Sequence, residues 1–133
     1  MSMDIVADAL NKMMNAVRAK KSSITVSHHS KLLLSVLAIA KLKGYVKSYK
    51  LEDNILHIEI GELAHCGSIK PRFVVKSDGI SKYIPRFLPA KNLGILILTT
   101  SQGLMTHQTA MDKNIGGGLL AYMYWWKKNY LNQ

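Results

Sequence analysis

The chain has 133 residues, 48% of them hydrophobic and 20% charged, with 18 Lys and Arg against 8 Asp and Glu for a formal charge of +10. That length holds one domain or two small subdomains sharing a boundary, and the composition excludes a disordered chain and a coiled coil. The charge predicts a polyanionic partner, the single cysteine Cys66 excludes an internal disulfide, and the longest apolar runs, 32–40 and 93–98, fall far short of a membrane span.

Ile5, Val6, Ala9, Leu10, Met13, Met14 and Val17 recur on one helical face, with Asp4 at the end where the helix dipole favours a negative charge. The basic loop 18–21 leads into Ser23-Ile24-Thr25-Val26-Ser27, whose alternation predicts a half-buried strand. His29 or Ser30 caps a second helix through Lys43, apolar at Leu33, Leu34, Val36, Leu37 and Ala40 and stopped by Gly44. Residues 45–49 and 55–60 predict a hairpin about the polar turn Glu52-Asp53-Asn54. In its second strand Leu56, Ile58 and Ile60 share one face, and His57 and Glu59 the other.

The stretch 61–67 reads as a link, because the pattern changes there from helices to strands and turns. Strands are predicted over 69–76 and 80–86, limited by Pro71 and Pro85 to edge or irregular positions. The continuous apolar run 94–99 predicts a strand buried on both faces. A helical turn over 106–113, the triple glycine 116–118 and a last strand over 119–126 follow. The expected fold is α+β: an N-terminal subdomain, 1–62, of two helices on a short three-stranded sheet, and a C-terminal subdomain, 63–133, mostly β with a short helix.

The cations are unevenly placed. From Ala9 to Leu51 there is no acidic residue, while Lys12, Arg18, Lys20, Lys21, Lys31, Lys41, Lys43, Lys47 and Lys50 all occur. A second acid-free run, 79–111, carries Lys82, Arg86 and Lys91. Such one-sign stretches favour a phosphate backbone or an anionic membrane over a merely soluble face. A peripheral membrane binder also requires an amphipathic helix with a basic polar face and large inserting residues, and the first helix is mixed in charge.

His28, His29, His57, His65, His107 and Cys66 show no C-x-x-C or H-x-x-x-H spacing, so neither metal nor cofactor is expected. A Cys-His nucleophile pair has equally little support, and acids for proton transfer are few, so the alternative of a small metal or Cys-His enzyme ranks low. Cys66 reads as a small, half-buried residue. No small-molecule substrate is expected.

The informative segment is Thr99-Thr100-Ser101-Gln102-Gly103-Leu104-Met105-Thr106, which concentrates four hydroxyls and an amide on a glycine-containing loop before a helix start. Short polar side chains there can reach sugar hydroxyls and base edges, and a helix start offers N–H groups to phosphate. An ordinary strand-to-helix turn capped by Thr106 explains the same residues. Gly116 and Gly117 carry two readings as well, close approach of an RNA backbone or a turn. Lys70, Arg72, Lys82 and Arg86 lack acidic neighbours in sequence, which favours phosphate over solvent. Tyr83 either stacks on a nucleotide or packs on its own sheet.

Residues 99–106, followed by His107, Ala110, Gly116-Gly117 and Leu120-Ala121-Tyr122, closely resemble the C-terminal signature of the small-subunit ribosomal protein eight family. Ala7-Asp8-Ala9-Leu10, Asn15, Ser30-Lys31-Leu32 and Gly44-Tyr45 match its N-terminal motifs. Cys66-Gly67, Ile69-Lys70-Pro71-Arg72-Phe73 and Leu88-Pro89-Ala90 look like its archaeal and eukaryotic branch, and the likeness runs to about Tyr124. Gly118 stands where bacterial relatives usually have Glu, Ile5 where they often have Pro, and the tail 125–133 runs past the usual end of the family.

The resemblance implies a structural protein of the small ribosomal subunit, in the cytoplasm, that binds a helix in the central domain of the subunit's rRNA and adjoins other ribosomal proteins. It implies that Thr99, Thr100, Ser101, Gly103 and Thr106 read an irregular RNA helix in its minor groove, with Gly116 and Gly117 beside them. Ser30, Lys31 and Asn15 would touch RNA backbone. The charge pattern adds Lys70, Arg72 and Arg86 as candidate phosphate contacts, and no membrane partner is expected.

Overall fold

The computed structural model describes residues 4–70, 73–90 and 93–125. Helix α1, Ile5–Arg18, begins where the Asp4 carboxylate accepts the Ala7 N–H at 3.0 Å, and it buries Val6, Ala9, Leu10 and Met13 on its inner face. Its end turns through Lys20, held at φ +60, into β1, Ser23–Val26. Ser30, rather than His29, caps α2, Lys31–Leu42, by accepting the Leu33 N–H at 3.1 Å. Gly44, at φ +86, reverses the chain so that the Tyr45 N–H returns to the Ala40 carbonyl at 2.9 Å.

Strands β2, Val46–Glu52, and β3, Ile55–Ile60, close through Asp53 and Asn54 at φ +53 and +62, the paired positive values of a type I′ turn. β3 lies in the middle of an antiparallel sheet of order β1-β3-β2, with Leu56 and Ile58 facing the helices and His57 and Glu59 facing out. The expected N-terminal arrangement of two helices on a three-stranded sheet is what the residues build.

The second sheet holds β4, His65–Ser68, β5, Val74–Val75, β6, Ile95–Thr100, β7, Gly103–Thr106, and β8, Gly117–Tyr124, in the order β4-β8-β6-β7 with β5 also on β8. A 3-10 helix, Ser77–Lys82, and two short α-helices, α3, Ile84–Phe87, and α4, His107–Asp112, complete it. β6 is buried on both faces, as its apolar run predicts. Ile95 and Ile97 enter a core shared with α1, α2 and the first sheet, whereas Leu96 and Leu98 enter a second core with Ile80, Ile84, Leu88 and Ala110. The first core also takes in Leu63, Cys66, Leu120 and Met123, so both halves of the chain fill it.

Four expectations need correction. The strand predicted over 80–86 is the 3-10 helix and α3: buried Ile80, Ile84 and Leu88 recur every four residues, and Pro85 stands in the first helical turn, where no backbone donor is needed. Of the strand predicted over 69–76 only Val74–Val75 is strand, and Pro71 and Arg72 lie outside the described residues. The link predicted over 61–67 becomes strand at His65, because β8 supplies an antiparallel partner from Tyr124 to Ala121. The last strand begins at Gly117 and ends at Tyr124 rather than spanning 119–126, of which Trp126 lies outside the described residues.

Emptying the seam beside β6 tests this arrangement. Ile97→Ala removes a fully buried side chain and is expected to lower stability by about 2 to 5 kcal/mol in urea denaturation. Val74→Ala, at a side chain 87% exposed, should change it by no more than about 0.5 kcal/mol.

Candidate nucleic-acid interface

The segment read as a loop, 99–106, is a hairpin. β6 and β7 pair antiparallel with Leu98 opposite Met105 and Thr100 opposite Gly103, leaving Ser101 and Gln102 at the tip. Gly103 has φ +104 with open space around it, so the backbone twist after the turn is what calls for glycine here. The Thr100 hydroxyl donates to the Gly103 carbonyl at 2.8 Å and accepts the Gln102 N–H at 3.1 Å. The Thr99 hydroxyl donates to the Gly118 carbonyl at 3.4 Å. Thr106, buried, caps α4 by accepting the Thr109 N–H at 3.3 Å. Three of the four hydroxyls thus hold the hairpin and its following helix. The fourth, on exposed Ser101, has no partner among the described residues.

The glycines have a packing role. A Cβ on Gly116 would run into the Val75 carbonyl, and one on Gly117 into the Thr99 carbonyl, so β5 and β6 can flank β8 only if these residues lack side chains. Beside them opens a cleft of about 570 Å³, walled by Val74, Lys76, Ser77, Asn114 and the glycine pair. The Ser77 hydroxyl donates to Asn114 Oδ1 at 2.8 Å, joining two of the lining residues. Because a Cβ on Gly117 would meet Thr99 and Thr100, the cleft borders the hairpin.

Ser30 and Lys31 stand at the start of α2, which packs against β7, so they lie on an element that supports the hairpin. The Ser30 hydroxyl already holds the helix cap, and Lys31 is exposed. Asn15 is exposed on α1, in a groove facing β1. Lys70 has an acidic neighbour that the sequence hides: its Nζ is 2.9 Å from the Asp4 carboxylate. Arg86 lies over the Tyr83 ring at 5.4 Å, and that ring stacks on Phe73 at 5.7 Å, which favours packing over a free stacking platform for Tyr83. Arg72 lies outside the described residues.

Nucleophile chemistry finds no footing at Cys66. Its thiol is buried, donates to the Leu10 carbonyl at 3.4 Å, and is pushed up to about 12 by burial. Among the described residues no group of three or more His, Cys, Asp or Glu is placed to hold a metal ion, and no helix is long and apolar enough to cross a membrane.

Residues 4–124 match the family model described as Ribosomal protein S8. The chain is also similar to the small ribosomal subunit protein uS8 of Nanoarchaeum equitans, 41% identical over 129 residues that cover 93% of this chain and 100% of that one.

His107, directly after the hairpin, enters the sequence reading as a candidate ligand or nucleophile and as part of the family signature, and it is a structural group. It is buried, and its Nδ1 accepts the Leu96 N–H at 3.1 Å, tying α4 back to β6. Burial, with the nearby Lys43 cation, holds its protonation below the usual histidine range. The folded chain therefore binds fewer protons there than the unfolded chain. The stability this provides is complete above the unfolded value near about 6.5 and is lost as pH falls through the lower folded value. Urea midpoints are expected to fall between pH 7 and 5, and His107→Gln should flatten that slope; an unchanged slope in the variant would place its source elsewhere.

Proposed function

Because the chain belongs to the ribosomal protein S8 family, and is thus a structural constituent of the small ribosomal subunit rather than an enzyme, we propose that it holds an irregular helix in the central domain of the subunit's rRNA through the β6–β7 hairpin. The observation that carries this reading is the division of labour among the hairpin hydroxyls. Thr99, Thr100 and Thr106 fix the shape of the segment, and Ser101 projects an unengaged donor and acceptor from a tip anchored in two cores. A small hydroxyl on a rigid support suits the shallow minor groove of RNA, where 2′-hydroxyls and base edges are displayed. The Gln102 amide stands beside it at the tip.

The two parts of the chain, 1–62 and 63–133, divide the work: the basic N-terminal part, including Lys31 and Asn15, contacts backbone, and the C-terminal part discriminates. Gly116 and Gly117 act by letting the strands beside the hairpin approach each other. Ser30 acts through the placement of Lys31. Arg72 and Arg86 add phosphate contacts, and Lys70 joins them by exchanging its exposed pairing with Asp4, a partnership of small net worth. The site of action is the small subunit in the cytoplasm, next to other ribosomal proteins.

Ser101→Ala is expected to weaken binding to the central-domain rRNA fragment by about 1 to 2 kcal/mol, roughly 5- to 30-fold, with little loss on an unrelated duplex. Equal losses on both RNAs would argue against reading by the hairpin. With about six phosphates neutralised, the log of affinity should fall against log salt with a slope of roughly −4 to −5. A flat response would overturn the proposal.

A further inference from the structure

The two strands of the hairpin are held unequally. β6 lies between β8 and β7, and its Thr99 hydroxyl donates to the Gly118 carbonyl, so that strand is tied down almost to the tip. β7 is the edge of its sheet and pairs, among the described strands, with β6 alone. Gly103 has no side chain and only open space where one would stand. Past the tip, the first side chain that can fix the free strand by packing is Leu104.

Leu104 stands opposite Thr99, half-buried against the first core. α2 supplies Leu33, Val36 and Leu37 to that core and packs on β7. The next β7 residues are engaged elsewhere: Met105 enters the second core, and the Thr106 hydroxyl caps α4. Leu104 is thus the β7 side chain through which the outer strand of the hairpin meets the core shared with α2. A pivot of the hairpin about β6 would swing Ser101 and Gln102, and Leu104 is placed to resist it.

We propose that Leu104 is a positioning residue for RNA reading: it sets the attitude of the β6–β7 hairpin against α2, so that Ser101 meets the RNA groove while Lys31, at the start of α2, meets backbone of the same molecule. This rests on the reading of the chain as an rRNA binder. Leu104 has no charge and no side-chain hydrogen-bonding group, so it acts on binding through placement. Two contacts held at a fixed separation reinforce each other, whereas a loose second contact loses much of its share to ordering. Truncation to alanine leaves every polar group of the tip in place and removes what orients them.

The test measures binding of full-length Leu104→Ala, Leu104→Met, Ser101→Ala and the Leu104→Ala/Ser101→Ala double variant to the central-domain rRNA fragment and to an unrelated duplex. Leu104→Ala is expected to weaken binding to the fragment by about 5- to 30-fold, the size of the contact it orients, with the duplex affinity and the salt slope unchanged. Adding Ser101→Ala to Leu104→Ala should then cost less than Ser101→Ala costs alone, and Leu104→Met, which refills the space, should restore discrimination. Ile97→Val is the control for general loosening: it takes one methylene from the same core and should lower the urea midpoint while leaving discrimination as it is. If Leu104→Ala does not fold, Leu104→Val set against Ile97→Val makes the same comparison. Equal losses on both RNAs, a full Ser101→Ala penalty in the Leu104→Ala background, or the same loss of discrimination from Ile97→Val overturns the positioning role and leaves the hairpin reading intact. If Ser101→Ala has no effect in the otherwise wild-type chain, it is the rRNA-reading role of the hairpin that fails.

Discussion

Strand β6 has no face to give to water, and most of the architecture follows from that. Ile95 and Ile97 point into one core and Leu96 and Leu98 into the other, so the strand is fixed from both sides by packing that resists small displacements. Its hydrogen-bonding edges are also taken, by β8 on one side and β7 on the other. A short hairpin is therefore held like a peg in a wall. The tip projects only two residues beyond the strands it joins, which limits how far Ser101 and Gln102 can wander. For a group whose role is to meet an RNA groove, placement on a rigid element matters more than the strength of any single contact.

The hairpin also separates two roles that look alike in sequence. Threonine and serine both carry a hydroxyl, but the β-branched threonines suit strand backbone, and their oxygens are used locally to close the turn, tie β6 to β8 and start α4. Ser101, in the turn itself, has neither constraint. His107 extends the same logic one residue past the strand, where its ring nitrogen replaces a backbone acceptor for Leu96 and so fastens the helix to the sheet. A cluster of polar residues thus resolves into a supporting set and a presenting set.

What could be read from the sequence was what depends on near neighbours. α1, α2 and the β2–β3 hairpin follow from spacing, an acidic helix start, a capping residue at His29 or Ser30, and a polar turn, all within a few positions of one another, although Glu52 belongs to β2 and the turn is Asp53 and Asn54 alone. The burial of β6 was legible because an unbroken apolar run has only one sensible environment. The misreading over 80–86 came from weighing Pro85 as a strand breaker and overlooking the four-residue recurrence of Ile80, Ile84 and Leu88. β4 could not be seen at all, since His65-Cys66-Gly67-Ser68 has no strand pattern and becomes one only because β8, far along the chain, pairs with it. The same distance hid the Lys70–Asp4 pair and the packing need behind Gly116 and Gly117. At the candidate interface the polar segment could be located, but which of its hydroxyls stay unengaged depends on a register that only the folded hairpin defines.

The core shared between the two halves sets the order in which the molecule can be made. α1 is synthesised well before β6 and β8, yet its inner face packs on β4 and shares a core with Ile95, Ile97, Leu120 and Met123. Until β8 emerges, the nascent N-terminal part carries an uncovered strip of leucine and methionine and cannot complete its own interior. Such long-range closure slows folding and makes it a late, cooperative event. The basic stretch 9–51 is therefore synthesised before the residues that complete the interior beneath it.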